Sequence, residues 1–85
     1  MKYLAKIFIR LKPTVNDPQG LTIKSGLHQL GFEEIDDVRS GKYMELRLSS
    51  KNQSEASSRV KEMCEKLLAN PIVETYSFDI GLEEK

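Results

Sequence analysis

The sequence predicts an α+β domain of the ferredoxin-like plan, strand-helix-strand-strand-helix-strand, with two helices packed on one antiparallel sheet. Three observations predict this class. Apolar residues alternate with polar ones in several short segments, which is typical of strands. Two longer segments instead repeat apolar residues at helical spacing, between capping residues and stop signals. The 85 residues contain no linker, internal repeat or low-complexity segment, so we expect a single domain spanning residues 1–85.

The first strand is indicated by about ten residues of alternation that end at Pro13. The apolar side chains of one face are Tyr3, Ala5, Ile7, Ile9 and Leu11. The opposite face is mixed, because Leu4 and Phe8 lie among lysine and arginine residues. A sheet with one buried face normally carries polar residues on the other face. The two apolar side chains on the polar face therefore need an explanation of their own.

The first helix is predicted to begin after Asp17, whose carboxylate can accept hydrogen bonds from the first free amides of a helix. Pro18 suits the first helical turn, where its missing N–H costs nothing. Gly31 stands where a left-handed C-terminal cap forms. The apolar residues between these signals, at spacings compatible with one helical side, are Leu21, Ile23, Leu27 and Leu30.

A hairpin is predicted next, with a strand over residues 32–38, a turn over residues 39–42 and a strand over residues 43–49. The side chains expected to point inward from the second of these strands are Met44, Leu46 and Leu48. The hairpin would then bury its apolar side against the helices.

The second helix has the strongest helical pattern in the chain. Its apolar residues are Ala56, Val60, Met63, Cys64, Leu67 and Leu68. Asn52 or Ser54 is expected to cap its N-terminus, and Glu55 follows Asn52 at the spacing of a capping box. The helix is predicted to end at Asn70, because the residue before a proline disfavours helical geometry. Residues 72–80 are predicted as the last strand and residues 81–85 as a loose tail.

Composition excludes several classes of protein. Thirteen basic residues balance thirteen acidic ones, whereas a nucleic-acid-binding protein normally carries a basic excess. The apolar stretches are too short for a transmembrane helix, and the N-terminus lacks the apolar core of a signal peptide. A single cysteine forms no intramolecular disulfide. We therefore expect a cytoplasmic protein that binds neither nucleic acid nor membrane.

Residues suited to catalysis or metal binding are few. Nucleophilic catalysis needs a base beside the nucleophile, yet the single histidine, His28, and the single cysteine, Cys64, are predicted on different helices. One histidine and one cysteine do not make a four-ligand zinc site. The acidic residues at 33–37 lack calcium-loop spacing, and the sequence around Gly41 lacks the earlier glycine of a phosphate-binding loop. We therefore predict no catalytic, cofactor-binding or metal-binding residue in this chain.

The remaining candidate site is a surface for other polypeptides. Leu4, Phe8 and Tyr43 are predicted on the sheet face away from the helices. The last strand adds Tyr76 and Phe78, because apolar side chains remain whichever of its faces is buried. Soluble monomers rarely expose a contiguous patch of this kind. Self-association through a twofold axis is its simplest explanation.

Two basic residues extend this candidate interface. Arg39 and Lys42 flank the predicted hairpin turn, where they could contact an anionic group or an acidic partner surface. Exposed charges at turns usually only solvate the fold, so their inclusion rests on their position beside the sheet.

Four segments stand in a characteristic order and spacing: residues 16–20 (Asn-Asp-Pro-Gln-Gly), 30–32 (Leu-Gly-Phe), 38–42 (Val-Arg-Ser-Gly-Lys) and 63–71 (Met-Cys-Glu-Lys-Leu-Leu-Ala-Asn-Pro). Together they resemble the PurS family, the small subunit of phosphoribosylformylglycinamidine synthase. The likeness runs from the first strand to Tyr76, which is nearly the whole chain. The Asp-Pro-Gln-Gly box and the Leu-Ala-Asn-Pro helix stop are specific in combination.

The resemblance implies a role in de novo purine synthesis. The complex converts formylglycinamide ribonucleotide to the amidine, using ATP, Mg²⁺ and ammonia from glutamine. A glutaminase subunit releases the ammonia, and a large synthetase subunit binds ATP and the ribonucleotide. The small subunit would bind no cofactor itself. It would bridge the other two subunits as a homodimer, or as a tetramer, and would help enclose the ammonia path.

On the residues alone, two other functions stay open. One is a regulatory domain that dimerises and senses a small molecule. The other is a small enzyme on the same fold, whose activity would depend on His28.

Overall fold

The computed structural model describes residues 1–83, which form a three-stranded antiparallel sheet and two helices. The elements in chain order are β1 (Lys2–Leu11), α1 (Pro18–Gln29), β2 (Gly41–Ser49), α2 (Gln53–Met63), a π-helical turn (Cys64–Leu68) and β3 (Glu74–Leu82). The strand order across the sheet is β2-β1-β3, so β1 is central. The predicted α+β class, with one antiparallel sheet and two helices, is confirmed.

The two faces of the sheet follow from the alternation in β1. Residues directly opposite each other in an antiparallel pair point to the same face. Ile7 pairs with Met44 on β2 and Phe78 on β3, so all three lie on the inner face. The β1 residues buried on that face are Tyr3, Ala5, Ile7 and Ile9. The sheet therefore buries the face that the sequence predicted.

The core lies between this inner face and α2. Ala56, Val60 and Cys64 of the α2 segment are fully buried and pack toward β1 and β3. The N-terminus of α2 is capped by Asn52, whose Oδ1 accepts a hydrogen bond from the Glu55 amide at 2.8 Å. No helix of the described chain packs closely on β2, and the inner side chains of that strand are only half-buried.

The π-helical turn corrects one detail of the predicted helical pattern. Leu67 was expected on the buried side, but its side chain is 83% exposed. The backbone N–H of Ala69 bonds to the carbonyl of Cys64 at 2.9 Å, five residues back instead of four. This wider turn rotates Leu67 away from the core, and the helical segment then ends before Pro71.

The helix α1 has the predicted caps but not the predicted packing. Asp17 caps its first turn, and Gly31 adopts a left-handed conformation with φ of 100° after its last turn. The amide of Phe32 bonds to the carbonyl of Leu27 at 2.9 Å, which completes a Schellman motif. The expectation that both helices pack on the sheet is wrong for α1, because its only buried residue is Gly20.

An extended molecular shape follows from this arrangement. The principal extents are 51 × 32 × 14 Å and the radius of gyration is 16.6 Å. A compact chain of this length would have a radius of gyration of roughly 12 Å. We call residues 18–40, which comprise α1 and the segment that returns to β2, the arm.

The predicted strand over residues 32–38 is wrong. The segment consists of turns and irregular backbone, because it runs back along the arm and not along the edge of β2. The amide of Ile35 bonds to the carbonyl of Phe32 at 3.4 Å, and His28 Nε2 lies 2.8 Å from the carbonyl oxygen of Ile35. These local bonds take the place of the strand pairing that the hairpin required.

The chain after α2 differs from the prediction at both ends of β3. Residues 70–73 form a turn, in which the Glu74 amide bonds to the carbonyl of Asn70 at 2.7 Å, so β3 begins later than predicted. The predicted loose tail is wrong for residues 81–83. The amide of Glu83 bonds to the carbonyl of Lys2 at 3.0 Å, and its carboxylate pairs with Arg47. Residues 84 and 85 of that tail lie outside the described residues.

Candidate partner-binding surface

The outer face of the sheet carries an exposed aromatic pair. Phe8 on β1 is directly opposite Tyr43 on β2, with ring centroids 5.2 Å apart and an interplanar angle of 41°. The side chains are 40% and 51% exposed. The Tyr43 hydroxyl donates a hydrogen bond to Glu45 Oε2 at 2.9 Å. Burial and this bond raise the pKa of Tyr43, so the hydroxyl stays a neutral donor at physiological pH.

Charged residues border this pair on both sides along β1. Lys6 lies in one neighbouring row, between Glu45 on β2 and Asp79 on β3. Arg10 lies in the row on the opposite side. Leu4 is half-buried in the next row beyond Lys6. The apolar side chains of the outer face are therefore the Phe8–Tyr43 pair and Leu4, which the Lys6 row separates from the pair. We call these three residues the aromatic patch.

Two predicted interface residues lie on the other face. Tyr76 is directly opposite Ile9 and Phe78 is opposite Ile7, so both point to the inner face and border the core. Their rings stack at 6.5 Å with an interplanar angle of 7°, and the Tyr76 hydroxyl donates to Glu65 Oε2 at 3.0 Å. The structure thus brings Phe8 and Tyr43 together, places Leu4 on the same face beyond the Lys6 row, and puts Tyr76 and Phe78 on the opposite face. The sequence held a signal for this, because Tyr76, Phe78 and Ile80 share one side of the last strand, which makes that side the one expected to be buried.

The two basic residues of the predicted turn have structural partners. One Arg39 nitrogen, Nη2, donates to the carbonyl oxygens of Lys12 and Val15, at 2.9 Å each. Lys42 points to the inner face, where its Nζ lies 3.7 Å from Glu74 Oε2 and its side chain stays 64% exposed. The guanidinium of Arg39 is therefore held by backbone of the same chain.

A polar cluster around the buried Asp17 carboxylate joins the two ends of the arm, and sequence reasoning missed it. Asp17 is only 3% exposed. Its Oδ1 accepts from the Gly20 amide at 3.0 Å, and its Oδ2 accepts from the Ser40 amide at 2.7 Å. The Ser40 hydroxyl also donates to this carboxylate, at 3.0 Å to Oδ1. We call Asp17, Gly20, Arg39 and Ser40 the Asp17 latch.

The electrostatics of the latch favour a charged Asp17. The hydrogen bonds from the Gly20 and Ser40 amides, followed by the Ser40 hydroxyl and the positive charge of Arg39, lower the pKa of Asp17. The Asp-Pro-Gln-Gly box and the Arg-Ser-Gly-Lys segment noted in the sequence supply these residues. Their separation of 23 residues explains why spacing alone did not join them.

The residues considered for catalysis lie apart. His28 is exposed on the arm, whereas Cys64 is fully buried below α2. Burial raises the pKa of the Cys64 thiol, which reduces its fraction of reactive thiolate. Beside it lies an open cavity of about 550 Å³, lined in part by Ala69, Pro71 and Tyr76. Within residues 1–83, no group of three or more His, Cys, Asp or Glu side chains is arranged to hold a metal ion. None of the described helices is long and apolar enough to cross a membrane.

The fold and this surface define a class: small α+β proteins whose exposed features suit contact with other polypeptides. Comparison with known proteins identifies the family. Residues 4–81 match the family model of PurS, phosphoribosylformylglycinamidine (FGAM) synthase, so the chain belongs to the PurS family.

Several relatives illustrate this membership. The chain is 45% identical over 78 residues to the FGAM synthase subunit PurS of Bacillus subtilis, which covers 92% of each chain. It is 44% identical over 78 residues to the PurS subunit of Synechocystis, covering 92% of this chain and 78% of the relative. Among solved structures, Thermus thermophilus PurS aligns with a TM-score of 0.88 at 34% identity, covering 99% of this chain and all of that one.

A structure of a larger assembly is also similar. A chain in the structure of PurLQS from Thermotoga maritima aligns with a TM-score of 0.87 at 31% identity. The alignment covers 95% of this chain and 99% of that one. The match therefore spans the arm as well as the sheet.

Proposed function

We propose that this chain is the small, non-catalytic subunit of FGAM synthase, the complex that converts formylglycinamide ribonucleotide, ATP and glutamine to the amidine in de novo purine biosynthesis. The single observation that carries the proposal is the match of residues 4–81 to the PurS family model. The similarity to a chain of the PurLQS structure supports PurL and PurQ as the partner subunits.

The subunit's role in this proposal is assembly. It bridges the glutaminase and synthetase subunits in the cytoplasm and helps enclose the path of ammonia between them. ATP and Mg²⁺ are bound by the synthetase subunit and not by this chain. The separation of His28 from Cys64 and the bonding of Arg39 to backbone carbonyls support a non-catalytic role.

Reconstitution tests this function. The purified chain alone is expected to have no synthetase activity, and its addition to purified PurL and PurQ is expected to restore glutamine-dependent formation of the amidine. Full glutamine-dependent turnover by PurL and PurQ without this chain would overturn the proposal.

We further propose that the subunit forms a homodimer through the aromatic patch, and that a tetramer is the larger assembly that two such dimers would form. A twofold axis that runs across β1 at Phe8, in the plane between two facing sheets, would place Arg10 of one copy over the row in which Glu45 and Asp79 flank Lys6 of the other. Arg10 would then meet an excess of negative charge, and the aromatic rings would be removed from water.

The dimer is tested with a charge on the patch. Phe8→Lys is expected to raise the dissociation constant of the dimer at least about tenfold, because a buried apolar contact is replaced by a charge that must lose water. Ser58→Lys, on the exposed side of α2, is the matched control and should leave association unchanged. Sedimentation or light scattering measures both. A wild-type protein that stays monomeric at micromolar concentration would contradict the dimer.

A further inference from the structure

The arm is attached to the rest of the molecule mainly at its base. It leaves after β1 and returns at the start of β2, and α1 does not pack closely on a strand. Its exposed apolar side chains are Leu21, Ile23, Leu30 and Phe32, which are between 41% and 75% exposed. Apolar burial therefore does not hold the arm in its direction, and another interaction must do so.

The Asp17 latch supplies that interaction. The Asp17 carboxylate accepts from Gly20 at the start of the arm and from Ser40 at its end, so one buried side chain connects both. Arg39 extends the connection to the β1–α1 loop through the carbonyls of Lys12 and Val15. Hydrogen bonds to a charged group are directional and stronger than neutral ones. Together these bonds can fix one orientation.

Close backbone contact restricts the space at the base of the arm. A Cβ atom at position 20 would clash with the Val38 carbonyl oxygen and would lie 2.8 Å from Asp17 Oδ2. The two limbs of the arm therefore touch at a position where only glycine fits. Little space remains for the arm to change its angle while the latch stays closed.

We propose that Asp17 and Ser40 are positioning residues that hold the arm in a single orientation, and that this latched conformation is the one competent to join the FGAM synthase complex. The proposal rests on the proposed function for its second half. A pre-ordered arm loses less conformational entropy on assembly than a mobile one. Opening the latch should therefore weaken assembly while leaving the sheet and α2 folded.

Asp17→Asn tests the latch while keeping the helix cap. Asparagine has the shape of aspartate and is an equally good N-cap. Its side chain has a single oxygen, so its NH₂ group would face one of the two backbone donors that the carboxylate now serves. Hydrogen exchange of the arm amides, residues 18–40, is expected to accelerate about tenfold or more, while β1 and α2 amides keep their rates.

Two matched variants make this measurement specific. Thr22→Val removes the exposed bond from the Thr22 hydroxyl to the Pro18 carbonyl, which lies on α1 but outside the latch, and should leave arm exchange unchanged. Ser40→Ala removes one donor and should accelerate arm exchange less than Asp17→Asn. Ser40→Thr keeps the hydroxyl and should exchange at wild-type rates. Unchanged arm exchange in Asp17→Asn would overturn the latch.

Assembly is read from a titration of each variant into PurL and PurQ. Asp17→Asn is expected to raise the concentration giving half-maximal glutamine-dependent turnover by about tenfold, with the same maximal turnover at saturation. Faster arm exchange with an unchanged half-maximal concentration would overturn the link to assembly. Failure of wild type itself to restore turnover would instead overturn the proposed function, and the exchange data would still decide the latch.

Discussion

Two regions of the molecule are held by different forces. One is formed by β1, β3 and α2, and the other is the arm. In the first region, apolar side chains such as Ile7 and Val60 are fully buried between sheet and helix. In the arm, Gly20 is the only buried residue of α1, and the order comes from the two helix caps and from the bond between the Ser40 amide and the Asp17 carboxylate. Burial of apolar surface stabilises without setting direction, whereas hydrogen bonds are directional. The core therefore supplies the stability and the latch supplies the shape.

The largest expected effect comes from the core. Ile7→Ala removes a fully buried side chain at the centre of the sheet and should lower the free energy of unfolding by about 2–5 kcal/mol. An 85-residue domain has a total of only about 4–13 kcal/mol, so this loss is severe. Ile23→Ala, at a 41% exposed position of the arm, is the control. Urea unfolding measures both, and equal losses would contradict the division into two regions.

The next largest effect concerns the base of the arm. Gly20→Ala forces a Cβ atom against the Val38 carbonyl and should destabilise the arm by about 1–3 kcal/mol. Gly26→Ala, in the same helix, should have the opposite effect, because a Cβ atom there would have no neighbouring atom within 4 Å. That change should stabilise the arm by about 1 kcal/mol through helix propensity. Native-state hydrogen exchange of residues 18–40 gives both values, and a shared sign would show that the contact with Val38 is unimportant.

Sequence reasoning predicted the core region better than the arm, for a physical reason. Alternation in β1 and helical spacing in α2 are local patterns, and burial of one face follows from them directly. The caps at Asp17 and Gly31 are local too and were predicted correctly. The path of residues 32–38 depends on which element lies beside them, which is a tertiary property that short-range pattern does not contain. Leu67 was misplaced because a single wider turn changes the phase of a helix.

The candidate surface divides in the same way. Leu4 and Phe8 were correctly placed on the outer face because they alternate with the buried residues of β1. Tyr76 and Phe78 were grouped with them although pairing register puts them on the inner face. The latch could not be found from spacing, since Asp17 reads as an ordinary helix cap until the structure brings Ser40 to its second oxygen.

Acid should loosen the arm before it affects the core packing. The folded-state pKa of Asp17 is lowered by its hydrogen bonds, so its contribution is complete above the unfolded pKa of about 4 and is lost as pH falls through the lower folded value. Amides of residues 18–40, corrected for intrinsic exchange, should lose protection in that window. Lys42 and Glu74 line the same cleft as Asp17. Both residues are present in wild type and in Asp17→Asn, so their titration is the same in the two proteins. In Asp17→Asn this acid dependence should be absent, and its persistence would assign it to another group.

The smallest expected effect is on the alkylation rate of Cys64, which should not change when the latch is opened. The thiol is fully buried, and burial raises its pKa, so alkylation by iodoacetamide at neutral pH requires the core to open. Val60→Ala, one helical turn away, should accelerate labelling by weakening that core. Asp17→Asn should leave the labelling rate at its wild-type value while arm exchange accelerates. Faster labelling in Asp17→Asn would mean that arm and core open together, and the two regions would then be a single cooperative unit.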